Sequence, residues 1–183
     1  MLIDLETSTN DISLNTEICI VGAGAAGVAL ARDLMKAGRE VCLLEAGGMD
    51  YDEKTQSLTK GEIIGMEYYE LDHSRLRFFG GTTNIWGGRS IPLDRIDFEK
   101  RDWVPHSGWP ITLDDLQPFY ETAHNSLELG DYNYGPGNWD KLKLSPVDFD
   151  PERISHRFWR FDELKERFNS QRSDDLVKAD NVQ

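Results

Sequence analysis

The chain has 183 residues, 39% of them apolar and 10% aromatic, and its 20 basic and 33 acidic side chains leave it at −13 with histidines neutral. That length predicts one domain, or one and a part, with room for a core, and the aromatic content argues against wholesale disorder. The charge repels a phosphate backbone, which sets nucleic acid aside as a partner, and two cysteines, Cys19 and Cys42, exclude a disulfide scaffold or a cysteine-based zinc site.

Met1 to Thr16 is polar and acidic and reads as a loose N-terminal arm. The longest apolar stretch, Ile18 to Ala31, is too short and too rich in Gly and Ala to span a bilayer. The first basic residue is Arg32, so the start lacks the positive region of a signal peptide. The expected location is the cytoplasm, where cysteines stay reduced.

Glu17 to Val21 (EICIV) predicts a buried parallel strand. It runs into Gly22, Gly24 and Gly27, then into helical spacing through Val28, Ala31, Leu34 and Met35, with Gly38 at the C-terminal cap position. Val41 to Leu44 predicts a second strand ending at Glu45. Strand, turn, helix and strand within about 30 residues make the unit of a parallel sheet. Cys19 and Cys42 fall on the two strands and read as small buried hydrophobes rather than a redox pair. Ala46 to Lys54 reads as loop, as do Gly80 to Gly88 and Gly130 to Asn138. Thr112 opens a helix with Asp115 as a capping box, and Pro118 either interrupts that helix or starts its main segment. Asp162 is placed to cap a short helix through Phe168, and Ser173 to Gln183 is polar.

The match Gly22-x-Gly24-x-x-Gly27 gains weight from its context between a strand and a helix, with an acid at the next strand end. Gly22 makes the tight turn and Gly24 admits a pyrophosphate close to backbone N–H groups. Gly27 and Ala31 let the helix lie against the sheet. The helix N-terminus presents its positive dipole end, and Glu45 can accept from both ribose hydroxyls of an adenosine. No basic residue lies in Ala46-Gly47-Gly48-Met49, so a 2′-phosphate is disfavoured. FAD and NAD both satisfy this motif.

The second glycine segment, Gly80-Gly81-Thr82-Thr83-Asn84-Ile85-Trp86-Gly87-Gly88, sets four glycines around two hydroxyls, an amide and an indole. Together with IVGAGAAGVALARDLMKAGREVCLLEAGG (Ile20 to Gly48) and DWVPHSGWPITLDDLQPFYETA (Asp102 to Ala123), it resembles the N-terminal part of the glucose–methanol–choline (GMC) family of FAD-dependent oxidoreductases. The branch it looks closest to holds bacterial sugar dehydrogenases and pyranose oxidases. The second loop argues against a nicotinamide dehydrogenase.

The resemblance implies an α/β, Rossmann-like FAD/NAD(P)-binding fold with an incomplete parallel sheet, followed by a helical and loop segment. It implies oxidation of a CH–OH group, with hydride passing to flavin N5 and the proton to a histidine base. The implied substrate is a small sugar or other polyol; the electron acceptor is left open. The implied cofactor contacts are Gly22, Gly24, Ala25, Ala26, Gly27, Glu45, Ala46 and Gly47 on the ADP side. Gly80, Gly81, Thr82 and Thr83 are expected at the phosphates or ribityl chain, and Asn84, Trp86 and Gly87, with Gly88 beside them, near the ring. Where some relatives carry a histidine that bonds the flavin covalently, this chain has Ile85, so non-covalent FAD is expected.

The family's histidine base lies in a later region, and His73, His106, His124 and His156 match none of its catalytic positions. No catalytic residue and no metal ligand is therefore assigned. The expected division is an arm (1–16), the N-terminal part of an FAD-binding domain (17–100), and a helical lid or insertion (101–183). On this reading the chain is a fragment of a longer enzyme. The alternative is a non-catalytic nucleotide-binding remnant, or a subunit completed by a partner chain.

Overall fold

The computed structural model describes residues 2–9, 11–162 and 168–183. The chain folds as two compact units, Met1–Trp86 with Lys165–Gln183, and Gly87–Leu164.

In the first unit, β1 (Ile18–Val21) and β2 (Val41–Leu44) pair in parallel with Ile18 opposite Val41 and Val21 opposite Leu44. Helix α1 (Ala25–Lys36) connects them. The β2 bounds are those its apolar run predicts. α1 ends at Ala37 because Gly38 adopts φ +71°, and the N–H groups of Gly38 and Arg39 reach back to the carbonyls of Met35 and Leu34. This Schellman closure favours glycine, which carries no Cβ penalty in the left-handed region.

Side chains alternate across a strand, so β1 and β2 send Ile18, Ile20, Val41 and Leu43 into the cluster built around Val28 and Ala31 of α1. The polar tail adds the rest. Helix α2 (Glu53–Ser57) and α3 (Leu71–Ser74) lie in the intervening chain, and α7 (Asp174–Lys178) returns to α1. Leu176 and Val182 are buried in the same cluster. Val182 forms a parallel bridge to Val41, with Val41 N–H donating to Asn181 O at 2.9 Å. Arg32 donates to Asp175 at 2.8 Å and to the Arg172 carbonyl at 2.7 Å. The polar reading of Ser173 to Gln183 thus concealed two core residues, because only Leu176, Val177, Ala179 and Val182 interrupt a polar run.

The second unit holds β3 (Arg89–Ser90) and β4 (Arg160–Phe161), paired antiparallel, and helices α4 (Arg95–Phe98), α5 (Leu113–Ser126) and α6 (Asn138–Leu142). α5 begins at the expected capping box. The Thr112 hydroxyl accepts from Asp115 N–H at 3.3 Å, and the Asp115 carboxylate accepts from Thr112 N–H at 2.8 Å. The helix runs through Pro118, its sixth residue, so the proline neither breaks it nor starts it. The helix predicted to follow Asp162 falls on 163–167, outside the described residues.

Thr112→Ala is expected to destabilise α5 by about 1 kcal/mol, measured by chemical denaturation. The Thr112 backbone N–H, then its hydroxyl, holds the Asp115 carboxyl below the usual carboxylate range. A depressed carboxylate stabilises the fold above its unfolded pKa and loses that stabilisation as pH falls through the folded value. The Thr112→Ala penalty should therefore shrink in acid. A penalty that stays constant or grows in acid refutes the coupling.

Candidate functional site

The two glycine segments meet in the first unit. Gly24 and Gly80 form a parallel bridge, and Gly80 N–H donates to the Ala23 carbonyl at 2.7 Å. A Cβ on Gly81 would stand 3.3 Å from the Gly24 Cα, so the second segment crosses the first at backbone distance. Gly80 is left-handed at φ +88°, and a Cβ there would approach the Phe168 carbonyl at 2.7 Å. Two sites far apart in sequence are glycine because one backbone lies on another.

Gly22 turns the chain at φ +100°, and its N–H donates to the Leu44 carbonyl at 2.7 Å. Gly24 is the N-cap of α1, in extended conformation, with no side-chain cap. The first turn of α1 contains no acidic residue, and Ala25, Ala26 and Gly27 occupy it. First-turn N–H groups have no acceptor within their own helix. A Cβ on Gly22 or Gly24 would meet nothing within 4 Å, so neither glycine is required by a neighbouring atom at its own Cβ position. Gly27 is the opposite case: a Cβ there would overlap the Gly22 carbonyl oxygen.

Glu45 closes the other side. One carboxylate oxygen accepts from Ala23 N–H at 2.7 Å, the other from Ala46 N–H at 2.9 Å and Gly47 N–H at 3.2 Å. A carboxylate oxygen has two acceptor sites, so this arrangement leaves capacity for a hydroxyl donor. The Gly47 Cβ position is filled by the Arg77 carbonyl, and Phe79 N–H donates to the Gly48 carbonyl at 3.0 Å.

Residues 81–85 form a single 3₁₀ turn. The Asn84 amide nitrogen donates to the carbonyls of Phe79 and Gly81 at 3.0 and 2.8 Å. The Thr83 hydroxyl donates to the Gly80 carbonyl at 2.5 Å. Thr82 is exposed and accepts from Leu76 N–H at 3.3 Å. Trp86 packs at a tilt on Phe168, ring centroids 6.3 Å apart. Asn84 and Thr83 thus shape the turn itself. Gly87 and Gly88 belong to the second unit, where Gly88, at φ +69°, accepts from Asp162 N–H at 2.8 Å.

Two residues of this site carried no sequence signal. Ala23 is fully buried, and its N–H and C=O tie Glu45 and Gly80 together. Gln56 is also buried; its amide donates to the carbonyls of Asp72 and Arg75 and accepts from Arg77 N–H, fixing the segment that lies over Gly47. An unspecified position of a glycine motif and a glutamine in an acidic stretch look like surface until the chain folds.

Among the described residues, no group of acidic, histidine or cysteine side chains could hold a metal. His124 is buried in the second unit between Tyr132 and Tyr134. Its Nδ1 lies 3.1 Å from the Gly130 carbonyl and its Nε2 2.8 Å from the Tyr134 hydroxyl. A carbonyl only accepts, so Nδ1 carries a proton. His124 is a packing residue.

A family profile described as FAD dependent oxidoreductase (DAO) matches residues 17–145. The chain belongs to this FAD-dependent oxidoreductase family. FAD is its cofactor, and the open helix N-terminus with an acceptor at the second strand end suits the ADP portion of that molecule. The family also decides between the two dinucleotides that the first motif alone admits. The fold is α/β and Rossmann-like, with a small parallel sheet. The chain is 32% identical over 126 residues to 6'''-hydroxyparomomycin C oxidase of Streptomyces lividus, covering 61% of this chain and 22% of that protein. It is 25% identical over 150 residues to paromamine 6'-oxidase of Streptomyces fradiae, covering 71% of this chain and 27% of that protein. The chain thus spans about a quarter of the length of these curated relatives. No solved structure matches it significantly. Among the described residues, no helix is long and apolar enough to cross a membrane.

Proposed function

We propose that this chain is the ADP-binding portion of a GMC-type, FAD-dependent oxidoreductase that oxidises a CH–OH group of an amino sugar. The observation that carries the reading is the Gly24–Gly80 bridge, which sets both glycine segments beside the open N-terminus of α1 and near the Glu45 carboxylate. The N–H groups of Ala25 and Ala26 would hold the pyrophosphate, where the helix dipole favours negative charge. Gly22 and Gly24 give it room, Gly27 lets α1 lie against the Gly22 turn, and Glu45 would accept from the ribose while Ala46 and Gly47 orient its carboxylate. Gly80 to Thr83 would face the phosphates or ribityl chain, and Asn84 and Trp86 would border the ring. Asn84 would act there by holding the turn rather than by donating its amide. When bound, FAD supplies the two-electron oxidising power that converts an alcohol to a carbonyl.

The names of the relatives, oxidases of paromomycin-type compounds, support a sugar substrate. The charge of −13 supports a cationic one, since an acidic protein concentrates amino sugars electrostatically. The working site is proposed to need polypeptide beyond these 183 residues, in the same chain or a partner.

The test is to load the chain with FAD, remove excess by gel filtration, and add paromamine or glucose without oxygen. Retained flavin absorbance is expected, and acid precipitation should release all of it because Ile85 offers no nucleophile. Flavin left on the acid pellet overturns the non-covalent assignment, and absence of retained flavin overturns the cofactor site. Bleaching by paromamine but not glucose supports the substrate class. Retention without bleaching assigns this chain to cofactor binding alone.

A further inference from the structure

β1 and β2 place Cys19 directly opposite Cys42. In a parallel pair, residues in register share a face of the sheet. Both cysteines lie on the face away from α1, since Ile18, Ile20, Val41 and Leu43 take the other. Cys19 is exposed, contrary to its reading as a buried hydrophobe, while Cys42 is buried. On the same face Val21 is 83% exposed, so a small oxidant can reach Cys19.

We propose that Cys19 and Cys42 are a redox-modification site, a thiol pair across β1 and β2 that hydrogen peroxide closes to a disulfide. Adjacent strands lie about 4.8 Å apart, within the Cα separation that a disulfide accepts. The Cβ atoms must come slightly closer than the sheet sets them, and a disulfide held under such strain is readily reduced.

Exposure assigns the order of events. The Cys19 thiolate attacks one peroxide oxygen, breaking the O–O bond, forming Cys19–SOH and releasing hydroxide, which takes up the Cys42 proton. The Cys42 sulfur then attacks the Cys19 sulfur, and the departing hydroxide leaves as water with the proton that Cys19 lost. Two thiols give up two electrons and two protons, and one peroxide becomes two waters. Burial, followed by the neighbouring Cys19, pushes the Cys42 thiol up, which suits a group that reacts second. The pair sits three residues before both Gly22 and Glu45, so its closure falls at the base of the two elements that frame the ADP site.

The experiment treats the reduced 183-residue chain with hydrogen peroxide, blocks free thiols with iodoacetamide, and maps peptides without reduction. A Cys19–Cys42 linked peptide, lost on adding dithiothreitol, is expected. In Cys42→Ser, Cys19 should stop as a sulfenic acid trapped by dimedone. Peroxide that leaves both thiols alkylated in the wild type overturns the proposal. So does Cys19 oxidised to a sulfinic acid beside an alkylated Cys42, or Cys19 linked only to a second copy. The peptide map of the wild type decides the matter even if the variant fails to fold.

Discussion

Gly27→Ala is expected to lower the melting temperature by about 6–12 °C and to abolish FAD retention. A Cβ at this position would overlap the Gly22 carbonyl oxygen and approach its carbon at 3.1 Å. Both atoms are backbone, so no side chain can turn aside. Either α1 moves off the sheet or the Gly22 turn opens. Overpacking a tight contact costs about 1–3 kcal/mol, and a clash with rigid backbone lies at the upper end. For a chain of this size each kcal/mol shifts the melting temperature by about 2–4 °C. The same movement displaces the first-turn donors from the Glu45 side of the site, so affinity should fall further than stability. Scanning calorimetry and flavin retention read the two effects separately. A variant that melts with the wild type and keeps its flavin overturns the close-approach argument for this glycine.

Glu45→Ala should weaken binding of FAD, and of ADP alone, by about ten- to a hundredfold, the equivalent of one or two charge-assisted hydrogen bonds. It should also destabilise the apoprotein. The carboxylate accepts from three backbone N–H groups, and that of Ala23 belongs to a fully buried residue. Stranding one buried donor costs about 1–3 kcal/mol, whereas exposed Ala46 can turn to water. ADP is the informative probe because the ribose contact lies wholly within it. Loss of FAD affinity with unchanged ADP affinity would move the role of Glu45 away from the ribose.

The βαβ unit was legible because its constraints are local. Apolar runs of strand length flank helical spacing, glycines sit where backbone must turn or touch, and an acid stands at the second strand end. Those features predicted β2 residue for residue and the Gly38 closure of α1. They also marked Thr112 and Asp115, since a capping box lies within four residues of sequence. Pro118 of α5 departs from expectation. A proline near the N-terminus of a helix removes one hydrogen bond, which a well-capped helix tolerates.

By itself the sequence determined the βαβ unit, the parallel pairing of its strands and the glycines at its turns, because each follows from residues near one another in the chain. Tertiary structure alone decided that Gly80 lies on Gly24, that Glu45 is held by Ala23, that Gln56 supports the loop over Gly47, and that Leu176 and Val182 complete the core. It also put the two cysteines opposite each other. These contacts join segments separated by tens of residues, and nothing in the period or composition of one segment encodes the surface it will meet in another. Only burial and backbone hydrogen bonding in the folded chain bring them together.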